Sequence, residues 1–295
     1  MALDRRTGVV VLALLVAAGG IGVGAGALVG HRTTPGRPAD AALTGTVPAS
    51  PTPSSSPLGP QRTGSRIPAP LPGGSAKAPV YVLGGSGAAA RLYREFRSGD
   101  RADPVRAAVA GLAAAPADPD YRSPWLGVPS SVTRAGATAT VTFSAAPALG
   151  GADPAVAVQQ VVYTVTAADT AVTRVRVVAP GLPAALTATP VGRGAQLDLL
   201  APVWLLDPPD GGGAGTRMTV SGTASVFEAT VSIEVRRGST VVARTSATAS
   251  VGAPGRGDWT ATMSVPAGDY VIAAYEASEK DGSPVGVDTK RVTVT

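Results

Sequence analysis

Cysteine is absent from the 295 residues. Disulfides, thiolate nucleophiles, cysteine-ligated metals and a lipid-bearing N-terminal cysteine are excluded with it. Histidine occurs once, at His31, in a stretch without apolar periodicity. No Ser-His-Asp arrangement, histidine-rich zinc site or histidine proton shuttle can therefore be built in the remainder of the chain. Aromatics make up 4% of the residues, and the apolar content is mostly Ala and Val, which fits two domains with small cores better than one with a large core. Lysine is scarce as well, three against 22 arginines, and with the Ala and Gly richness this points to a high-GC, actinobacterial genome.

The net charge of +5 is unevenly spread: residues 31–77 carry +4, 78–185 carry +2, and 198–295 carry −3. The basic excess lies in the Pro- and Ser-rich part, and no folded segment shows basic residues interleaved with aromatics. Nucleic acid is therefore not expected as a partner. Attraction of the basic stretch to anionic wall polymers or headgroups fits better.

Gly8 to Gly30 are uncharged and follow Arg5 and Arg6; at 1.5 Å per residue the segment reaches about 34 Å, enough to cross a bilayer. Glycines at 19, 20, 22, 24 and 26 argue against a buried soluble helix and are tolerated in membrane spans. The length favours an N-terminal membrane helix over 1–30 that anchors the chain as a single-pass membrane protein with its domains extracytoplasmic. Ala25-Gly26-Ala27 fits a signal-peptidase box and keeps secretion after cleavage as the alternative. Residues 31–78, exemplified by TVPASPTPSSSPLGP (Thr46–Pro60), read as a disordered stalk; extended at about 3.1 Å per residue it spans on the order of 100 Å.

Residues 79–185 mix strand and helix signals. Val80–Leu83 and Leu92–Arg97 read as strands. Asp103-Pro104 caps a helix carrying Val105, Ala108, Val109 and Leu112. Val132–Arg134 turns at Ala135-Gly136 into the alternating Ala139, Val141 and Phe143. Asp153-Pro154 opens a second helix with Ala155, Val158, Val162 and Val165 on one face, although the β-branched VVYTVT within it favours strand; Val172–Val178 closes as a strand. LAAAPADPDYRSPW (Leu112–Trp125), AVQQVVYTVT (Ala157–Thr166) and VRVVAPG (Val175–Gly181) resemble the GerM-type domain of sporulation and spore germination proteins. That resemblance resolves the conflict in favour of helix and implies a small α/β unit akin to ring-building modules, with helices on one face of a sheet.

After a linker at 186–198, residues 199–295 show short alternating strands and no helical stretch. Val231, Ile233 and Val235 share one face; Trp259, Ala261, Met263 and Val265 share another. About seven such segments predict a β-sandwich. SGTASVFEATVSIEV (Ser221–Val235), APGRGDW (Ala253–Trp259) and AYEASEKDGSP (Ala274–Pro284), in that order, resemble the immunoglobulin-like domain of bacterial spore germination. The expected class is thus α+β multidomain: membrane helix, GerM-type α/β domain, all-β immunoglobulin-like sandwich.

Chemistry is sparse. Gly84-Gly85-Ser86-Gly87 lacks the Lys-Ser/Thr ending of a phosphate loop and reads as a turn. Asp118 with Asp120, and Glu276 with Glu279 and Asp281, follow no calcium-loop pattern and read as solvated turns, with a carboxylate-dependent wall-polymer hydrolase as the rival reading. Arg256-Gly257-Asp258 matches an adhesion tripeptide but reads as a turn. No catalytic, cofactor or metal residues are expected. The candidates for partner binding are Tyr121, Arg122 and Trp125 after the first helix, Gln159 and Gln160 within the apolar second helix, and Phe227 and Glu228 at a sandwich turn. Each has a plainer alternative: Gln160 bridging to the sheet, Trp125 covering a thin core, Phe227 in the core. The expectation is a non-catalytic extracytoplasmic scaffold whose partners are the membrane and envelope proteins or cell-wall polymer, with self-association into a homo-oligomer and a solute-binding receptor as further alternatives.

Overall fold

The computed structural model describes residues 75–295. The expected membrane helix lies outside the described residues, as does the stalk up to residue 74. Residues 75–78, expected to end the stalk, are already strand.

β1 (Ser75–Gly84) and β2 (Arg91–Asp100) form a long antiparallel hairpin, from Ser75 opposite Asp100 to Gly84 opposite Arg91. The Gly84–Gly87 run is the expected turn, with Gly85 and Gly87 at positive φ. α1 (Pro104–Leu112) starts where Asp103 accepts from Arg106 N at 3.0 Å, and it buries Val105, Ala108, Val109 and Leu112. β3 (Tyr121–Arg122) adds two residues to the far edge of β1. β4 (Ser130–Ala135) and β5 (Thr138–Phe143) form the second hairpin; α2 (Pro154–Ala168) then crosses over to β6 (Arg174–Val178), parallel to β5.

The β-branched run of α2 stays helical because Val161 through Thr166 are all buried. Contacts on every side outweigh the local preference, which amounts to tenths of a kcal/mol per residue.

Gln160 completes the sheet. β1 has β2 on one side, but on the other only the two-residue β3, which stops short of Tyr81. Thr164 Oγ1 accepts from Tyr81 N at 3.0 Å, and Gln160 Nε2 donates to Tyr81 O at 2.7 Å. Two side chains one helical turn apart thus stand in for a missing strand, which satisfies backbone groups that burial would otherwise leave unpaired.

The expected linker at 186–198 is packed. α3 (Ala184–Thr187) is followed by a bridge between Val191 and Val175, and α4 (Gln196–Leu199) leads to a parallel bridge between Leu200 and Leu92. Gln159 Nε2 donates to Gly192 O, Gly194 N donates to Gln159 Oε1, and Tyr163 OH donates to Gly194 O. A polar and glycine-rich segment reads as a linker because its bonds run to residues some 30 positions away.

The C-terminal part is a sandwich. β7 (Val203–Asp207), β9 (Arg217–Ala224) and β12 (Gly257–Ser264) form one sheet in the order β12-β9-β7. The other runs β11-β10-β13-β14-β8 and comprises β8 (Gly212–Ala214), β10 (Thr230–Arg237), β11 (Thr240–Thr248), β13 (Gly268–Ala277) and β14 (Pro284–Val294). The expected alternation holds: Val231, Ile233 and Val235 meet Trp259, Ala261, Met263 and Val265 in the core. At Gly222 a side chain has no room, since a Cβ would lie 1.8 Å from Trp204 O.

Candidate functional site at the domain junction

β7 serves two cores. Its period of two sends Val203 and Leu205 into the sandwich and turns Trp204 into the core of the first domain. The Trp204 indole donates to Leu92 O at 3.1 Å, and Ala201 N donates to the same carbonyl at 3.0 Å. The two domains are parts of one compact unit.

Beside this seam β14 points charge inward. Asp288, Lys290, Val292 and Val294 occupy one parity of the strand, and all four are buried. The Lys290 ammonium pairs with Asp118 and donates to Tyr121 OH at 2.7 Å. Tyr121 OH donates to Asp288 Oδ1 at 2.6 Å, and Asp288 Oδ2 accepts from Leu205 N at 2.7 Å. Next to them Thr289 donates to Asp120 Oδ2 at 2.7 Å. Tyr93 stacks on Tyr121 with ring centroids 4.7 Å apart, and Lys290 lies 4.3 Å from the Tyr121 ring centroid. Asp118 is therefore a buried domain contact, not a solvated residue, whereas Asp120 stays on an exposed turn and reaches Thr289 from there.

Burial, and then the Asp288 carboxylate, push the Tyr121 and Tyr93 phenols far above the ordinary tyrosine value. Burial also raises Asp288, against the pull of Lys290. A phenol so raised stays protonated at neutral pH and accepts no substrate proton. The Lys290 ammonium, the Tyr121 hydroxyl and both Asp288 carboxylate oxygens are spent across the junction, so the arrangement clasps two domains.

A cleft of 270 Å³ adjoins the clasp, between Lys77, Arg94 and Phe96 on one side and Leu205–Asp207 on the other. Among the described residues no group of three or more His, Asp or Glu is arranged to hold a metal ion.

The candidate residues fare differently. Trp125 is fully buried and stacks on Phe143 at 3.8 Å; Gln160 is fully buried under the sheet edge. Neither has surface to offer, so their reading as partner contacts is corrected: the plainer alternatives hold. Tyr121 is an interface residue within the chain. Gln159 holds the 192–194 strap, and Arg122 is half-buried with both terminal nitrogens unpaired. Phe227 is 61% exposed. It shares a 350 Å³ cavity at the sandwich end with Glu228, Glu276 and Glu279. There Glu276 accepts from Phe227 N at 2.7 Å, while Glu228 and Ala229 hold φ of 51° and 56°. Arg256 of the adhesion-like tripeptide lies 4.1 Å over Trp204 and donates to Ala201 O at 2.5 Å, so it is not displayed as an adhesion motif requires. Asp118, Asp288 and Lys290 were missed as a group; the signal for the last two was charge on the inward parity of an apolar strand.

Two family comparisons fit this two-domain arrangement. Residues 79–184 match the family described as sporulation and spore germination, and residues 202–283 match the immunoglobulin-like domain of bacterial spore germination. The chain carries both germination domains. Similar solved structures include the tandem GerMN domains of the sporulation protein GerM from Bacillus subtilis, at 17% identity and TM-score 0.31, covering 41% of this chain and 46% of that one. CopC from Methylosinus trichosporium OB3b is 20% identical with TM-score 0.23, over 31% of this chain and 92% of that one. A CARDB domain from Pyrococcus furiosus is 16% identical with TM-score 0.21, over 31% and 87%. The chain thus spans less than half of the GerM structure. No curated protein matches it. The matched families are germination and immunoglobulin-like domains, not known enzymes.

Proposed function

We propose that this germination-type two-domain protein is a non-catalytic scaffold of the cell envelope, anchored through residues 8–30 and working outside the membrane. The supporting observation is the clasp: the buried groups Asp118, Tyr121, Asp288 and Lys290, drawn from both domains, are spent on joining them. Such a joint suits a protein that presents surfaces in a fixed relation. Phe227 and Glu228, exposed at the end of the sandwich, are the surface for a protein partner, because an exposed aromatic beside carboxylates suits an anchor with a charged rim.

The absence of cysteine makes the location testable. With Ser278→Cys in the full chain, a membrane-impermeant maleimide labels intact cells if the domains lie outside. Labelling only after lysis rejects the placement. Release of soluble fragments from wall polymer by the purified chain, lost in Glu276→Gln, rejects the non-catalytic reading.

A further inference from the structure

Around Trp204 the fold gathers arginines that lie far apart in the sequence. The Arg256 guanidinium carbon is 4.1 Å from the Trp204 ring centroid and that of Arg94 is 5.4 Å from it. The two charges are therefore within about 10 Å of each other, no farther than a Debye length at 0.1 M salt. Trp204 meets Tyr81 at 5.8 Å, Tyr81 meets Tyr163 at 5.3 Å, and Arg193 lies 4.9 Å over Tyr163. The Arg193 and Arg256 charges both act on the Tyr163 phenol. These contacts trace one strip across the junction: Arg193 on the strap, Arg94 on β2, and Arg256 on the sandwich.

No carboxylate lies within ion-pair distance of these three among the described residues, although Arg94 shares its cleft with Glu95, Asp207 and Asp210. Among the described residues ion pairs serve Arg97, Arg134, Arg236, Arg244 and Arg291; Arg94, Arg193 and Arg256 are among the arginines that have none. The Arg94 and Arg256 Nε atoms are buried without a partner. Arg256 spends its terminal nitrogens on Ala201 and Thr223, and Arg193 spends its Nε on Thr166. Among the described residues the terminal nitrogens of Arg94 and Arg193 meet no hydrogen-bond acceptor and are left to bind. Burial foremost, with the neighbouring Arg94 charge also acting, lowers Arg256 to about 10. Like charges held together without a counterion are costly, and a bound anion removes that cost.

We propose that this strip binds a linear phosphodiester polymer. Resting on the reading of an envelope scaffold, the inference names the chemistry of one partner. Guanidinium groups set apart across one junction suit a chain with repeating charge, and a tetrahedral phosphate accepts from donors that approach in different planes. Nucleic acid fits less well. Trp204, Tyr81 and Tyr163 are 1%, 4% and 2% exposed, so their faces are not free to stack on bases.

The test is titration of the full chain with poly(glycerol phosphate), followed by calorimetry from about 20 to about 200 mM salt. The expected result is binding that weakens steeply with salt. Arg193→Gln and Arg94→Gln each weaken it about tenfold and flatten the salt dependence by about one unit of slope. Arg217→Gln, exposed elsewhere on the sandwich, leaves it unchanged. Near-UV circular dichroism establishes that Arg94→Gln is folded; if it is not, the exposed Arg193 decides alone. Absence of binding at low salt, unaltered affinity in Arg193→Gln, or tighter binding of single-stranded DNA of equal charge overturns the proposal. The maleimide test is independent: a labelled protein that ignores the polymer sinks this inference alone, and an unlabelled one that binds it sinks the envelope reading alone.

Discussion

Lys290 and Asp118 are 172 residues apart in the chain, and their side chains form an ion pair while only 6% and 3% exposed. One belongs to the last strand of the sandwich, the other to the loop after α1. Each is the other's compensation for leaving water.

Removing one member should cost far more than removing both. Lys290→Met leaves Asp118 and Asp288 buried without a cation, and urea denaturation should show a loss of roughly 3–5 kcal/mol. Adding Asp118→Asn should recover part of it. A double variant no more stable than Lys290→Met would show that the pair is not coupled.

The helix-to-sheet bond of Gln160 gives a second prediction. Gln160→Leu keeps the volume but leaves the buried carbonyl of Tyr81 without its side-chain donor, so stability should fall by roughly 1–3 kcal/mol. Thr164→Val removes the acceptor for Tyr81 N. A double-mutant cycle should show coupling between the two; strict additivity would mean that they do not act as one strand substitute.

Alkaline pH should weaken the fold. The folded Tyr121 and Tyr93 phenols are raised, so the folded chain keeps protons that the unfolded chain releases above about pH 10. Their contribution is complete below that value and declines as pH rises beyond it. Denaturation midpoints from pH 8 to 11 should fall at the upper end, and Tyr121→Phe should flatten the fall while lowering stability at neutral pH. A profile identical in the variant would remove Tyr121 as the cause.

At the sandwich end, two successive residues other than glycine hold left-handed backbone, Glu228 and Ala229. Ala229→Gly should relieve that conformation and raise stability by up to about 1 kcal/mol, read as a higher thermal midpoint. A lower midpoint would mean that the Ala229 methyl contributes more through packing than its backbone loses.

Much of this architecture is legible along the chain because its signals are local. Asp-Pro pairs start both helices, an Ala-Gly turn joins β4 to β5, and alternation marks β10 and β12. The candidate residues were harder. Trp125 and Gln160 have the chemistry of surface anchors, yet exposure is a property of what packs above a residue, and neither spacing nor type reveals it.

From its sequence alone the protein is determined to be free of cysteine and of histidine-based chemistry, and to consist of a mixed α/β unit followed by strands. Composition and short-range periodicity suffice for that. Only the tertiary structure decides that residues 186–198 are a packed strap, that Trp204 of one domain fills the core of the other, and that Lys290 meets Asp118 and three arginines line a seam. These pairings join residues with no sequence relation, and they form because buried charge and backbone must find partners wherever the fold brings them.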